Sequence, residues 1–349
     1  MIRDEAAQQQ QHSETNQNKI DDPEAPIRAI VILSNRHEPG SQLRTKLSRL
    51  FPLWVRVLGG EPNAWSSSES LRPHWRSSLG TSAWLHPLGI WTSRRLRKGH
   101  GPLKQRHYQA LNFIQILRAL LSPKHLERLE TRTALAFIFG PLLFALGSWL
   151  QLHTSQSPSL ALGLLAIGSV FFTAGGWWQF QQACIGDQAL PKDGPRWEWC
   201  GLRCALTQSV GTVLFNIDTF FSWNQQQPNA ELWLLLGILP NVIGSILFLI
   251  SAAYGMQEVG HGRLLVFEPD HLGWWISIVN ALGCVWFMQS AIAGLPTNLP
   301  LEQVFDSTMS MRTTLLGSLA FAIVGFLSLA ECSEDEIRPI KTPRSRKNL

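Results

Sequence analysis

Six long stretches of this sequence carry almost no charge. They cover residues 133–152, 159–180, 204–223, 232–254, 272–292 and 313–330, and Asp218 is the only charged side chain among them. A helix needs about 20 apolar residues to cross the roughly 30 Å hydrocarbon core of a bilayer. Buried helices of soluble proteins rarely continue for that length without a charge. The sequence therefore predicts an all-α polytopic membrane protein with six transmembrane helices.

The distribution of basic residues predicts the orientation. Before residue 133 the chain has 20 Lys and Arg against 11 Asp and Glu. Lys192, Arg196 and Arg203 lie in the second connection, whereas the first and third connections (QLHTSQS and NQQQPNA) have no Lys or Arg. Because cytoplasmic loops are enriched in basic residues, we expect both termini in the cytoplasm, an N-in/C-in multi-pass topology.

Composition divides the chain into four regions. Residues 1–26 are Gln-rich without apolar periodicity, which predicts disorder. Residues 27–132 form a basic, largely irregular cytoplasmic or juxtamembrane region, residues 133–332 the membrane domain and residues 333–349 a basic cytoplasmic tail. Between residues 71 and 132 there are 12 basic and 2 acidic residues, which predicts contact with anionic lipid headgroups unless this charge serves only to set the topology. The aromatic residues show no nucleic-acid-binding pattern, so no such partner is expected.

One short motif recurs in all six stretches. GPLLFALGS, GSVFFTAGG, GTVLFNIDT, GSILFLISA, GCVWFMQSA and GSLAFAIVG each begin with Gly, with Phe four residues later and a small residue eight later. The Gly, the Phe and the small residue therefore lie on one face of a helix. Since close packing, and not hydrophobic drive, holds helices together in lipid, we predict a helix-packing motif. Its members are Gly140, Phe144, Gly168, Phe172, Gly211, Phe215, Gly244, Phe248, Gly283, Phe287, Gly317 and Phe321.

The spacing of the motif groups the helices into pairs. Alternate motif glycines recur every 71 to 76 residues, which indicates three repeated helical hairpins over residues 133–180, 204–254 and 272–331. Fourteen residues after the glycine of each second helix come Gln182, Glu258 and Glu331. We therefore predict a pseudo-threefold bundle with these three side chains at its cytoplasmic rim.

The motifs GSILFLIS and GSVFFTAG, each in a two-helix unit, resemble the YrhK-like domain of small, uncharacterised bacterial membrane proteins. The resemblance covers roughly residues 133–332. It implies a membrane hairpin domain of unknown activity and transfers no catalytic residue. Three tandem hairpins and a long basic N-terminal region depart from the short form of that family.

The sequence contains no recognisable catalytic motif. It has no phosphate-binding Gly-x-x-x-x-Gly-Lys loop, no His-Glu-x-x-His and no Gly-x-Ser-x-Gly. Glu258 with His261, and Cys200 with Cys204, have spacings that some metal sites use, but matching second sets are missing. We therefore expect no enzymatic activity, no metal and no cofactor.

Two functions remain open from sequence alone. The first is a structural, scaffold or interaction role in the bilayer. The alternative is a small-solute or ion transporter or channel, because polar side chains within the predicted helices could line a path along the repeat axis. The candidates for that path are Gln208, Asp218, Asn241, Asn280 and Gln289.

Overall fold

The computed structural model describes residues 71–87, 89–98, 126, 128–154, 158–187, 190, 198–224, 230–297 and 306–332. Three strands and a short helix come first: β1 (Arg72–Ser77), β2 (Gly80–His86), β3 (Gly89–Thr92) and α1 (Ser93–Lys98). Six long helices follow: α2 (Leu129–His153), α3 (Pro158–Asp187), α4 (Cys200–Asn224), α5 (Ala230–Val259), α6 (Leu272–Ala293) and α7 (Ser307–Cys332). The predicted disorder of residues 1–26, most of the region 27–132 and the tail 333–349 lie outside the described residues.

The six long helices form a closed ring. Each of them packs against its neighbours in sequence, and α7 closes the ring by packing against α2. Each helix is at least 22 residues long, which gives at least about 33 Å at 1.5 Å per residue, enough to cross a bilayer core. The ring has one interior, towards which every helix turns one face.

Five of these helices, all except α4, are long and apolar enough to span a membrane. The predicted polytopic helical membrane protein is thus confirmed at this coarser level. Helix α4 has the same length as α2, but its composition is more polar because it carries side chains such as Gln208, Asn216 and Asp218.

Helix α5 contains one wide π turn at Leu234–Ile238. The amide of Leu239 donates to the carbonyl of Leu234, five residues earlier. Pro240 follows directly and has no amide hydrogen to offer the preceding turn, so a local change of hydrogen-bond pattern is expected here.

Part of the N-terminal region, predicted as largely irregular, is ordered. Strands β1, β2 and β3 form an antiparallel sheet in that order. Trp84 and Trp91 pair across β2 and β3 and are buried in a cluster with Trp199 and Leu96. Gly80 turns the chain between β1 and β2 at a φ of 129°, where a Cβ atom would lie only 2.2 Å from the carbonyl oxygen of Glu198. Gly80 and Gly89, both at positive φ, thus lie at the two connections between these short strands.

The six motif glycines all lie at close contacts inside a hairpin. A Cβ atom on Gly168 would lie 2.6 Å from the Phe144 ring, and one on Gly140 would lie 3.1 Å from the Phe172 amide nitrogen. The other two hairpins repeat this exchange between their helices. Gly211 faces Phe248 and Gly244 faces Phe215, while Gly283 faces Phe321 and Gly317 faces Phe287.

The six motif phenylalanines meet in the interior of the ring. All are buried, and the centroid of Phe287 lies 5.5 to 6.4 Å from the centroids of the other five. Most of these pairs are edge-to-face, the arrangement that aromatic quadrupoles favour. The middle of the bundle is consequently filled with phenyl rings, one from each long helix.

We expect Gly168→Ala to destabilise the protein by about 1 to 3 kcal/mol, the usual cost of overpacking a tight core. The added methyl would meet the Phe144 ring and, at 2.8 Å, the backbone oxygen of Gly140, which cannot turn aside. The measurement is the thermal unfolding midpoint of the purified protein in detergent. Gly255→Ala is the matched control, because its nearest atom would be the Cys204 sulfur at 3.8 Å. Equal midpoints for the two variants would contradict the packing role of Gly168.

Candidate functional site

Helix α1 covers one end of the ring, which we call the capped end. The starts of α2, α4 and α6 and the ends of α3, α5 and α7 meet there. Two glycines let α1 approach closely: a Cβ atom on Gly186 would lie 3.1 Å from the Cα of Arg97, and one on Gly201 would lie 2.6 Å from Ser93 Oγ. Gly186 and Gly201 belong to α3 and α4, so α1 is held against both helices.

A fully buried carboxylate joins α1 to α5. Glu258 accepts hydrogen bonds from Arg97 Nη2 at 3.0 Å and from Ser93 Oγ at 2.7 Å. The same Ser93 hydroxyl accepts a hydrogen bond from Trp199 Nε1 at 2.6 Å. The side chains of Arg97 and Glu258 are 4% and 0% exposed. Neither charge could be buried alone without a large desolvation cost, so the two depend on each other.

A second carboxylate joins α1 to α7. Glu331 accepts two hydrogen bonds from Arg94, from Nε at 2.9 Å and from Nη2 at 2.6 Å, and it also pairs with Lys98. Lys98 Nζ also lies 3.3 Å from Oε1 of Glu130, a residue of α2. Burial alone would lower the pKa of the Arg94 guanidinium, but the carboxylates of Glu331 and Glu258 outweigh burial and raise it. Arg94 therefore stays charged.

Between α1 and the phenyl rings lies a cavity of about 70 Å³. All six long helices contribute to its wall, Arg94, Arg97 and Lys98 form its roof, and Phe137 and Phe321 lie on the opposite side. The wall is rich in amides and hydroxyls, including Gln179, Gln182, Gln208, Asn280 and Ser277. The capped end of the ring thus contains a partly open space where amides and hydroxyls interrupt an otherwise apolar wall, whereas the middle of the ring is aromatic.

The three side chains predicted at one rim do come together under α1. Gln182 lines the cavity, and Glu258 and Glu331 bind the basic residues of α1.

Of the five residues predicted for a path, the structure brings only Gln208 and Asn280 to the cavity. Gln208 is buried, and its Oε1 accepts a hydrogen bond from Ser251 at 2.8 Å. Asp218 is partly exposed, and its Oδ1 accepts a hydrogen bond from Ser222 at 3.3 Å, rather than from Asn216 or Thr219. Asn241 is partly exposed and Gln289 is exposed, and neither lines the cavity. The five residues therefore do not form one row.

In each of the two residue pairs whose spacing resembles that of metal sites, the two side chains bind different partners. Glu258 faces α1, while His261 pairs with Glu268 at 3.1 Å. Cys200 donates to Gln257 at 3.3 Å, and Cys204 lies 3.4 Å from the Ser251 hydroxyl. Within the part of the chain that the structure describes, no group of three or more potential ligands could hold a metal ion.

Sequence reasoning missed the role of α1. The run SRRLRK was included in a basic region expected at lipid headgroups, but Arg94, Arg97 and Lys98 are neutralised by carboxylates in the bundle. One signal was available, because Arg94, Arg97 and Lys98 are three or four residues apart and share a helix face. Their partners Glu258 and Glu331 lie more than 160 residues away, and no local pattern reveals such a distant pairing.

Compared with protein-family models, curated proteins and solved structures, the chain has no significant match to any of them. The resemblance to the YrhK-like domain is not tested by this outcome and stays a prediction.

We expect Glu258→Gln to lower the free energy of unfolding by about 3 to 5 kcal/mol, because it leaves the Arg97 guanidinium buried without its carboxylate. The matched control is Glu198→Gln, which removes the partner of Arg76 in an ion pair whose Arg is 59% exposed. Such surface pairs contribute about 0 to 1 kcal/mol. Denaturant unfolding of both variants measures the difference. A similar loss in the two would show that the Arg97–Glu258 pair does not hold α1 in place.

Proposed function

We propose that the chain is an integral membrane protein with six spans, in which α4 crosses the bilayer with the other five long helices. The supporting observation is the surface of α4. Its large exposed apolar residues follow one another at helical spacing on the outside of the ring: Leu206, Val210, Val213, Ile217, Phe220 and Trp223. A continuous apolar stripe of this kind suits contact with lipid along the whole helix.

The polar residues that lower the mean hydropathy of α4 have partners within the ring. Asn216 donates to Thr173 at 2.6 Å, and Thr219 donates to Ser169 at 2.9 Å. Hydrogen bonds between membrane helices contribute about 0.6 to 2 kcal/mol each and remove the cost of exposing these groups to lipid. A polar interior face and an apolar outer face are therefore compatible with a sixth span.

The proposed orientation places the capped end in the cytoplasm. Arg128, Arg132, Arg203 and Arg263 lie at that end, which agrees with the excess of basic residues expected in cytoplasmic loops. Three of the 12 basic residues between positions 71 and 132 are already paired with buried carboxylates. Contact with anionic headgroups would therefore fall on the others.

Cysteine labelling tests the span count and the orientation together. Asn224→Cys and Arg263→Cys are introduced singly, at two exposed positions, into a chain with Cys184→Ser; the other four cysteines are buried. We expect a membrane-impermeant maleimide to label position 224 in intact cells and position 263 only after permeabilisation. The reverse result would mean that α4 does not cross or that the orientation is inverted, and labelling of Thr154→Cys decides between these two.

For activity, the proposal is a non-enzymatic structural or interaction role in the bilayer. The observation that carries it is the aromatic interior, because six packed phenyl rings leave no polar route through the middle of the ring. A transporter is the second candidate, favoured by the cavity with Gln208 and Asn280 at the capped end. A transporter of this fold would have to move the rings apart during each cycle.

Flux measurements in proteoliposomes separate these two roles. With K⁺, Na⁺, Cl⁻, urea and glycerol we expect rates equal to those of protein-free vesicles, because the phenyl rings close the interior. A flux that is present with the native chain and lost in Asn280→Leu, but retained in Gln289→Leu, would establish transport. Asn280 lines the cavity and Gln289 lies on the outer surface of the same helix.

A further inference from the structure

The cavity at the capped end is large enough to hold a small molecule. The rings of Phe137 and Phe321 lie on one side, and Arg94, Arg97 and Lys98 of α1 lie on the other. A single water needs roughly 10 to 15 Å³ of space measured in this way, and the cavity offers about 70 Å³. It can therefore take several waters or one organic molecule of roughly four or five non-hydrogen atoms.

The side chains around the cavity determine which chemistry it accepts. Gln179, Gln182 and Asn280 are carboxamides, each with a donor and an acceptor, and Ser277 adds a hydroxyl. Arg97 adds a donor, because its buried Nε has no hydrogen-bond partner among the described residues. An oxygen atom bound beside Arg97 would satisfy this group, whose burial without a partner is costly.

The charges around the cavity cancel. Arg94, Arg97 and Lys98 supply three positive charges, and Glu258, Glu331 and Glu130 supply three negative charges in pairs with them. A ligand with a net charge would find no unmatched counter-charge and would still lose its hydration. The cavity thus discriminates against both anions and cations.

From this volume, these carboxamides and this charge balance, we infer that the cavity is a binding site for one small, uncharged polar solute of the amide or polyol class. The ligand lies between α1 and the phenyl rings. It accepts hydrogen bonds from Arg97 and from the carboxamide NH₂ groups, and it donates to the carboxamide oxygens. A molecule of this size binds in the roughly millimolar range. The inference goes beyond the proposed structural role and does not depend on the number or direction of the spans.

Three molecules of the same shape and different charge test it. Acetamide, acetate and acetamidinium each have four non-hydrogen atoms and are neutral, negative and positive at pH 7. The full chain in lipid nanodiscs is dialysed to equilibrium against each radiolabelled compound at millimolar concentration. We expect acetamide to be retained at up to one molecule per chain, with an affinity at least tenfold higher than that of either ion.

Two variants at one position, and a control nine residues away, locate the binding. Asn280→Leu removes a carboxamide from the wall and should weaken acetamide binding at least tenfold, whereas Gln289→Leu on the outer surface should leave it unchanged. Asn280→Asp keeps the shape but adds a negative charge, and should shift the preference from acetamide to acetamidinium. This change of preference would not follow from mere misfolding.

Three results would overturn the inference. Retention of acetate or acetamidinium as strong as that of acetamide would contradict the charge balance. Acetamide binding that is equal in Asn280→Leu and the native chain would place the binding elsewhere. No retention of any of the three compounds, nor of glycerol, at concentrations up to about 100 mM would mean that the cavity holds only water.

Discussion

The ring depends on the contact between a glycine and a phenyl ring across each hairpin. In lipid, apolar side chains gain nothing by leaving their surroundings for another apolar surface, so helices associate through close packing and hydrogen bonds. Gly168, Gly211 and Gly317 each leave room for a Phe ring of the paired helix at distances that no Cβ atom could share. The same rings then meet at the centre, around Phe287. One set of contacts thus joins the helices within hairpins and fills the interior between hairpins.

The aromatic centre also explains why the cavity lies at one end of the ring. Large rings are packed together at mid-helix, so the carboxamides of Gln182, Gln208 and Asn280 face a pocket and not a channel. Arg94, Arg97 and Lys98 of α1 complete that pocket, and they pair with carboxylates from three different long helices. The N-terminal segment is consequently part of the bundle in structural terms, although a basic region before a first span usually indicates only topology.

The sequence allowed the long helices and their buried faces to be predicted because both follow from local periodicity. The opposite orientation of Asn280 and Gln289 could also have been predicted. They are nine residues apart, which at about 100° per residue is two and a half helical turns. These two side chains therefore point to opposite sides of α6, one to the cavity and one outward. The sheet was harder to predict because its strands are four to seven residues long and its glycines suggest an irregular segment. The ion pairs of α1 depend on which distant helices meet in space, and a single sequence does not contain that information.

The predicted threefold repeat and the single capping helix impose conflicting demands. Three equivalent hairpins would present three equivalent side chains, at positions 182, 258 and 331, to the end of the ring. A single helix across that end has no threefold symmetry and cannot bind all three in the same way. Two of the positions are glutamates that bind Arg97 and Arg94, the third is Gln182, and the remaining negative charge comes from Glu130 on α2. Because Gln182 is uncharged, the three α1 residues that line the cavity, Arg94, Arg97 and Lys98, are matched by three carboxylates. The departure from symmetry at this position is what balances the charges at the cavity.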